Sequence, residues 1–505
     1  MNMAAWLARA GRARADLPAL AREGTVVATY SRFAENAARL ASALRGPLGL
    51  APGDRVAIVA KNSPHYLEVL YAIWWAGLAA VPVNAKLHAA EIGWILENCG
   101  ARLVFAGSGL DAEVGAYAPD TLREIVTIDG PLYRRMLEAE PVPPATCAPD
   151  DLAWLFYTSG TTGRPKGAML SHRNLMAMSL AYLSDVDPTS PGDTLLHAAP
   201  MSHGSGLYAM AHVARFGVNA VTASGGFEPA EVFDEIARTP GLSMFAAPTM
   251  IKRLTDHPGE TPVGNIRTII WGGAPMHVAD AIRAIDRFGP RFAQIYGQGE
   301  TPMTTTVLSK ADIADRDNPR WRERLGSAGI ANSAVEVRID GAGDAPGVSG
   351  EILVRGDTVM RGYWNNPQAT AETIREGWLH TGDVGAFDAD GYLTLMDRSK
   401  DVIISGGENI SSLEVEEALY RHPAVLTAAV VAKPDEKWGE VPAAYIEVKD
   451  GAEVSVEDII EHCRAHLARY KVPKHIAFCV LPKTSTGKIQ KFVLREQAKS
   501  SSAIE

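Results

Sequence analysis

The stretch "GDRVAIVAKN" from Gly53 sets a polar turn ahead of an unbroken apolar run, the pattern of a strand buried on both faces. "PHYLEVLYAIWWAGLAAVPVN" from Pro64 then reads as an apolar helix running into a second strand, and "ARLVFAG" from Ala101 as a third. Buried strands alternating with helices imply a parallel sheet with helices on its faces. The alternation continues through "AVTASG" at Ala220, "LSMFAAP" at Leu242, "IRTIIWGGAP" at Ile266 and "RFAQIYGQGE" at Arg291. After "GEILVRGDTVMRGYWNNP" the periods shorten to β segments, and "DADG" inside "WLHTGDVGAFDADGYLTLMDR" signals a hairpin turn. Beyond Arg398, "EVEEALYRHPAV", "LTAAVVAKP", "VPAAYIEVK" and "SVEDIIEHCRAHLARY" predict a smaller, compact α+β unit.

Composition narrows the class. A chain of 505 residues is too long for one core, and 47% hydrophobic with 21% charged residues describe an ordinary soluble globular protein. The net charge of -10 speaks against generic nucleic-acid binding. Cys99, Cys147, Cys463 and Cys479 are scattered without a C-x-x-C pair, so neither a zinc module nor a disulfide framework is indicated and a reducing cytoplasm fits. No apolar run approaches the ~20 residues of an integral membrane span. The opening "MNMAAWLARAGRARADLPAL" lacks the apolar centre of a secretory signal and reads as a first amphipathic helix ending near Asp16. From Arg464 onward nine Lys or Arg face two Glu, a basic tail on an acidic chain.

The candidate chemistry starts at "TSGTTGRPKG", residues 158–167. It lies between the strand "LAWLFY" and a helix that Ser171 is placed to cap, and a glycine-rich loop in that position can aim backbone N–H groups at anionic oxygens. It does not meet the ATPase pattern, because Gly167 follows Lys166 and Pro165 stands where that pattern has its glycine.

Nine segments in order make the chain resemble the adenylate-forming superfamily, which includes acyl-CoA synthetases. They are "YTSGTTGRPKG", "PMSHGSG", "WGGAP", "YGQGE", "GYWNNPQATAE", "WLHTGD", "DRSKDVIISGGENI", "ARYKVPK" and "PKTSTGKIQK". The resemblance implies an α/β fold: a large N-terminal domain of mixed sheets flanked by helices over 1–398, binding ATP and acid. A small mobile α+β C-terminal domain over 399–505 would carry the catalytic lysine. It further implies that Thr158, Ser159, Gly160, Thr161, Thr162, Gly163 and Lys166 hold the ATP phosphates. Gly272, Gly273, Ala274, Pro275, Tyr296 and Gly297 would line the adenine slot, with Asp383 and Arg398 on the ribose. Glu300 matches the Mg²⁺-associated glutamate, an oxygen ligand suited to a hard cation. Lys488 matches the adenylating lysine, Lys400 the hinge, and Gly406 and Gly407 a CoA-binding turn. His203 would stand beside the acyl carboxylate in a pocket with Met201, Gly204, Tyr208, Trp271 and Met303, where Gly204 and Gly206 leave room near the wall. Gly299 departs from the family's usual threonine, which removes a hydroxyl near the α-phosphate.

The reaction so implied is ATP-dependent joining of a carboxylic acid to coenzyme A through acyl-AMP. The apolar pocket motifs suggest a medium- to long-chain fatty acid, with an aryl acid or the loading of a carrier protein as alternatives. A dicarboxylate fits less well, since no Lys or Arg lies in those motifs. Partners would be small molecules, and a homodimer is compatible with the sequence. His462 and His466 have metal-ligand spacing, but Arg464 and Arg469 beside them read as a solvated basic face. "GAGDAPG" at Gly341 is a polar turn rather than a dinucleotide fingerprint, and no G-x-S-x-G is present.

Overall fold

The computed structural model describes residues 1–500 apart from 159–164, 261, 275, 399–400, 402, 406–407, 436–437 and 484–488; of 397, 398, 404, 408, 409 and 500 only the backbone is described. By packing, the chain separates into two units: Met1–Val337 with Val354–Leu379, and Arg338–Leu353 with His380–Glu505. The second unit therefore takes in segments that the expected line after Arg398 left with the first. Where the chain hinges is a separate matter from where it packs.

The first unit is built on two sheets. One has six strands in the order Glu124–Thr127, Leu103–Ala106, Arg55–Ala60, Ala79–Asn84, Leu152–Thr158, Lys166–Ser171. Its first five strands pair in parallel, as the alternation predicted, and the last is antiparallel. The other has nine strands and a parallel centre: Ile266–Trp271, Leu242–Ala246, Thr194–His197 and Val218–Val221 lie side by side. Phe292–Gln298 extends it in parallel and Thr301–Leu308 turns back antiparallel.

The helix Pro64–Trp75 packs on strands of both sheets. Ser63 caps it by accepting the Tyr66 N–H, and every residue but His65 is buried. A helix apolar on all sides belongs inside a protein, and its sequence already had that character. Its one carboxylate, Glu68, is compensated by hydrogen bonds from Asn36 Nδ2 at 2.6 Å and Tyr133 Oη at 2.9 Å and by His65 Nδ1 at 2.7 Å.

One local expectation needs correction. The glycine-rich segment does not run from a strand straight into a helix: Lys166–Ser171 intervenes as a strand paired with Leu152–Thr158, in register from Thr158 opposite Lys166 to Trp154 opposite Leu170, with a shift before Leu152 meets Ser171. The two strands on either side of it pair antiparallel. The helix begins only at His172, where Ser171 does cap it and exchanges hydrogen bonds with Asn174.

In the second unit, Val425–Asp435 and Gly439–Val448 form a long antiparallel pair, joined in parallel by His475–Phe478. Alternate residues separate its faces. Ala428 and Val430 pack with Val415, Leu419, Ile459 and Cys463 of two helices, while Ala429 and Val431 meet Leu494 and Ala498 of the C-terminal helix. The "DADG" hairpin forms as expected: Asp383–Phe387 pairs with Leu393–Arg398, and Asp388 Oδ1 accepts from the N–H groups of Asp390 and Tyr392.

Candidate active site

In the first unit the paired strands Leu152–Thr158 and Lys166–Ser171, the turn between Phe292–Gln298 and Thr301–Leu308, and the "GYWNNP" segment bring four predicted or unpredicted side chains together. Glu300 is buried, at 9% exposure. Its Oε1 accepts from the Tyr363 hydroxyl at 2.7 Å and from Thr158 Oγ1 at 3.3 Å. Lys166 Nζ lies 5.1 Å from the centre of the Tyr363 ring, so a cation faces the aromatic group whose hydroxyl holds the carboxylate. Burial and the neighbouring Glu300 raise the Tyr363 phenol well above its ordinary pKa, which keeps it a donor. The other Glu300 oxygen, Oε2, has no partner among the described residues. A carboxylate fixed through one oxygen, with the second left over, suits a hard cation such as Mg²⁺. Tyr363 was missed as a functional residue, although the motif containing it was legible.

Gly299 departs from the family pattern for a steric reason. A Cβ there would stand 2.3 Å from Thr158 Cγ2 and 2.8 Å from Phe156 Cδ1. The phosphate-side strand closes over this turn, and glycine permits that approach.

Trp271 ends its strand buried, Gly272 is buried behind it, and Gly273 and Ala274 are exposed. Tyr296 pairs across with Thr306, and Gly297 follows it in the same strand. His203 precedes the helix Gly204–Ala214; its Nδ1 is 3.0 Å from Ser202 Oγ and its ring meets Phe156 edge-on at 5.5 Å. Met201 is buried, its N–H donated to Asn62 Oδ1 at 2.8 Å. The expected room beside Gly204 and Gly206 is not there: a Cβ on Gly206 would meet Met201 O at 1.9 Å, and one on Gly204 the Phe245 ring at 3.3 Å. These glycines serve close packing at the start of the helix.

Along that helix Tyr208 packs with Met178, Tyr182, Val186, Met303, Thr304 and Asn332 around a closed cleft that leaves no room for a water molecule. The cleft thus contains two residues expected at the acyl group, Tyr208 and Met303. Trp271 does not line it.

In the second unit, Asp383 N–H donates to Thr381 Oγ1, and Glu351 steadies the turn by accepting from Gly382 N–H at 2.9 Å and pairing with His380 Nδ1 at 2.9 Å. Asp383 lies opposite Arg398 in the hairpin. Ser159, Gly160, Thr161, Thr162, Gly163, Pro275, Lys400, Gly406, Gly407 and Lys488 lie outside the described residues. His462 and His466 stack at 4.4 Å and turn one nitrogen each toward backbone oxygens, of Ala418 and of His462.

Two family models match the chain: AMP-binding enzyme over residues 7–364, and AMP-binding enzyme C-terminal domain over residues 414–488. The chain belongs to the AMP-binding enzyme family. This AMP-binding enzyme is 38% identical to a feruloyl-CoA synthase of Amycolatopsis sp, over 98% of this chain and 99% of that one. It is 35% identical to the long-chain-fatty-acid–CoA ligase FadD13 of Mycobacterium tuberculosis, over 93% of each. Its fold matches the crystal structure of ATP-bound MatB from Rhodopseudomonas palustris with a TM-score of 0.89 at 30% identity, covering 99% of both chains. As an AMP-binding enzyme of the acyl-CoA synthetase superfamily it is an AMP-forming acid–thiol ligase, for which ATP and CoA are fitting substrates. Among the described residues no helix is long and apolar enough to cross a membrane.

Proposed function

We propose that the protein activates an aryl carboxylic acid as its acyl-adenylate and passes the acyl group to CoA. The observation that carries the nucleotide half is the Thr158–Glu300–Tyr363–Lys166 constellation beside the phosphate loop. A carboxylate oxygen of the acid attacks the α-phosphorus and pyrophosphate leaves. The CoA sulfur then attacks the acyl carbon, losing its proton, and AMP leaves. Mg²⁺ at Glu300 Oε2 would neutralise phosphate charge. Lys166 and the hydroxyls and backbone N–H groups of 158–163 stabilise the departing pyrophosphate, Lys488 the charge on the α-phosphate, and Asp383 and Arg398 the ribose. His203 orients the acid, and rotation at Lys400 exchanges the two half-reactions.

The acid class is the finer question. The side chains packed around Tyr208 include Tyr182 and two methionines, an aromatic and polarisable surface that supports an aryl acid; no space for a water molecule lies between them, so they set no limit on its size. The relative named feruloyl-CoA synthase points the same way, and the one named long-chain-fatty-acid–CoA ligase points to the alternative. Pyrophosphate release and thioester formation, measured with ATP across benzoate, phenylpropanoate, hexanoate, octanoate and palmitate, decide it. Release should require an acid, thioester should require CoA, and kcat/KM should peak at an aryl acid. A peak at any of the three fatty acids rejects the aryl reading, and no release with any acid rejects the ligase.

A further inference from the structure

The turn that leads into Asp383 is held by one neighbouring strand. Residues 380–383 lie within Trp378–Phe387, whose neighbour in the sheet is Ser349–Gly356. Glu351 of that neighbour engages both of its carboxylate oxygens: Oε1 accepts the Gly382 N–H and Oε2 meets His380 Nδ1, each at 2.9 Å. Thr381 donates its hydroxyl to the Ile352 carbonyl at 2.8 Å, and the same oxygen accepts the Asp383 N–H at 3.1 Å. Every residue from His380 to Asp383 is thereby tied, directly or through Thr381, to Glu351 and Ile352.

The support is rooted in the core. Ile352 and Leu353 are buried, and the side chains of His380 and Glu351 are 12% and 24% exposed. A pair sheltered to that degree, with its carboxylate also on a backbone N–H, keeps a geometry that an exposed pair does not. The turn needs such a hold. Gly382 has a left-handed φ of 71°, and a Cβ there would meet nothing within 4 Å, so the glycine answers to torsion and not to crowding. Glycine is free to adopt many other torsions, and the bond from its N–H to Glu351 selects this one. A different torsion at Gly382 would carry the Asp383 carboxylate elsewhere.

Asp340 stands in the same cluster: its carboxylate, Glu351 and His380 present atoms within 4.8 Å of one another. Asp340 is exposed, and the hydrogen bonds of Glu351 account for the arrangement without a cation.

Resting on the ribose role given to Asp383 above, we propose that Glu351 is a positioning residue for the nucleotide. It acts through Asp383: by clamping Gly382 and His380 it fixes where that carboxylate meets the ribose hydroxyls. The ribose is held alike before and during adenylation, so loss of the clamp weakens ATP binding uniformly and shows in KM more than in kcat.

The test uses the full-length enzyme with CoA and the best acid of the panel above, and compares ATP with 2′-deoxy-ATP and 3′-deoxy-ATP. The parent should prefer ATP over at least one analogue by about 10- to 100-fold in kcat/KM, the worth of a hydrogen bond to a charged group. Glu351→Ala should raise KM for ATP and shrink that preference about tenfold. Glu351→Gln, which still offers an oxygen to Gly382, should keep most of it. In an Asp383→Ala background Glu351→Ala should change the preference no further, because the two residues act in series. If Glu351→Ala does not fold, Thr381→Val, which removes the oxygen that accepts the Asp383 N–H, takes its place with the same expected loss. A variant that keeps the parent's preference overturns the proposal. So does one that loses the same factor on ATP and on both analogues, which would make Glu351 a support of the fold alone. If Asp383→Ala itself keeps the parent's preference, the ribose reading fails and the inference falls with it.

Discussion

Glu300 shows how much one side chain depends on its neighbours. Two hydroxyls on Oε1 fix the carboxylate plane, and the Tyr363 bond, short and buried, is the stronger of the two. Removing a hydrogen bond to a charged group costs about 1.5–3 kcal/mol. Tyr363→Phe should therefore raise the Mg²⁺ concentration giving half-maximal pyrophosphate release by roughly tenfold or more, with little change in melting temperature because Thr158 still holds the group. Titrating Mg²⁺ at saturating ATP and acid checks this. Equal loss of activity at every Mg²⁺ concentration would instead make Tyr363 a packing residue. The sequence marked Glu300 and Thr158 through their motifs, but their contact is between residues 142 positions apart and only folding reveals it.

Among the elements, the parallel strands and the apolar helix Pro64–Trp75 were legible because short uninterrupted hydrophobic runs alternating with turns belong in a packed interior. The strand Lys166–Ser171 was not: "KGAMLS" is short and polar at both ends, and its pairing with Leu152–Thr158 depends on a partner that periodicity does not name. The same limit applied to Gly206. Composition suggested space, whereas the structure spends the missing side chain on contact with the Met201 carbonyl at the entry to the Gly204–Ala214 helix. Gly206→Ala should destabilise the fold by about 1–3 kcal/mol through overpacking and displace His203, which starts that turn. Denaturant unfolding together with KM for the acid measures both; an unchanged midpoint would mean that the turn relaxes freely.

Across the whole molecule, the buried histidines His172, His197 and His212, all lowered in pKa by loss of water, tie stability to pH. His172 and His197 are each depressed to about 4 by burial. Unfolded histidine takes its proton near pH 6.5, so between about pH 6.5 and 4 the unfolded chain binds more protons and stability falls as pH falls. Melting temperature should be level above about pH 7 and drop steadily below 6.5, and His197→Gln should flatten that slope. The two-step chemistry is a second whole-molecule property. Lys488→Ala should slow adenylation by roughly two to three powers of ten, about 3–4 kcal/mol, while thioester formation from supplied acyl-AMP stays near the parent rate. Equal damage to both half-reactions would refute that division of labour.

The helix Pro64–Trp75 has a consequence for how the first unit comes apart. Because it supplies core to both sheets, neither sheet can open and leave the other with its hydrophobic face covered. The two should therefore melt as one cooperative block, with the helix amides exchanging their hydrogens only when the entire block unfolds. During synthesis, the helix and the first strands it touches emerge long before residue 194, where the parallel centre of the nine-stranded sheet begins. Until that centre arrives, one side of a nearly all-apolar helix faces water, an interval in which a nascent chain is most exposed to aggregation and to capture by chaperones.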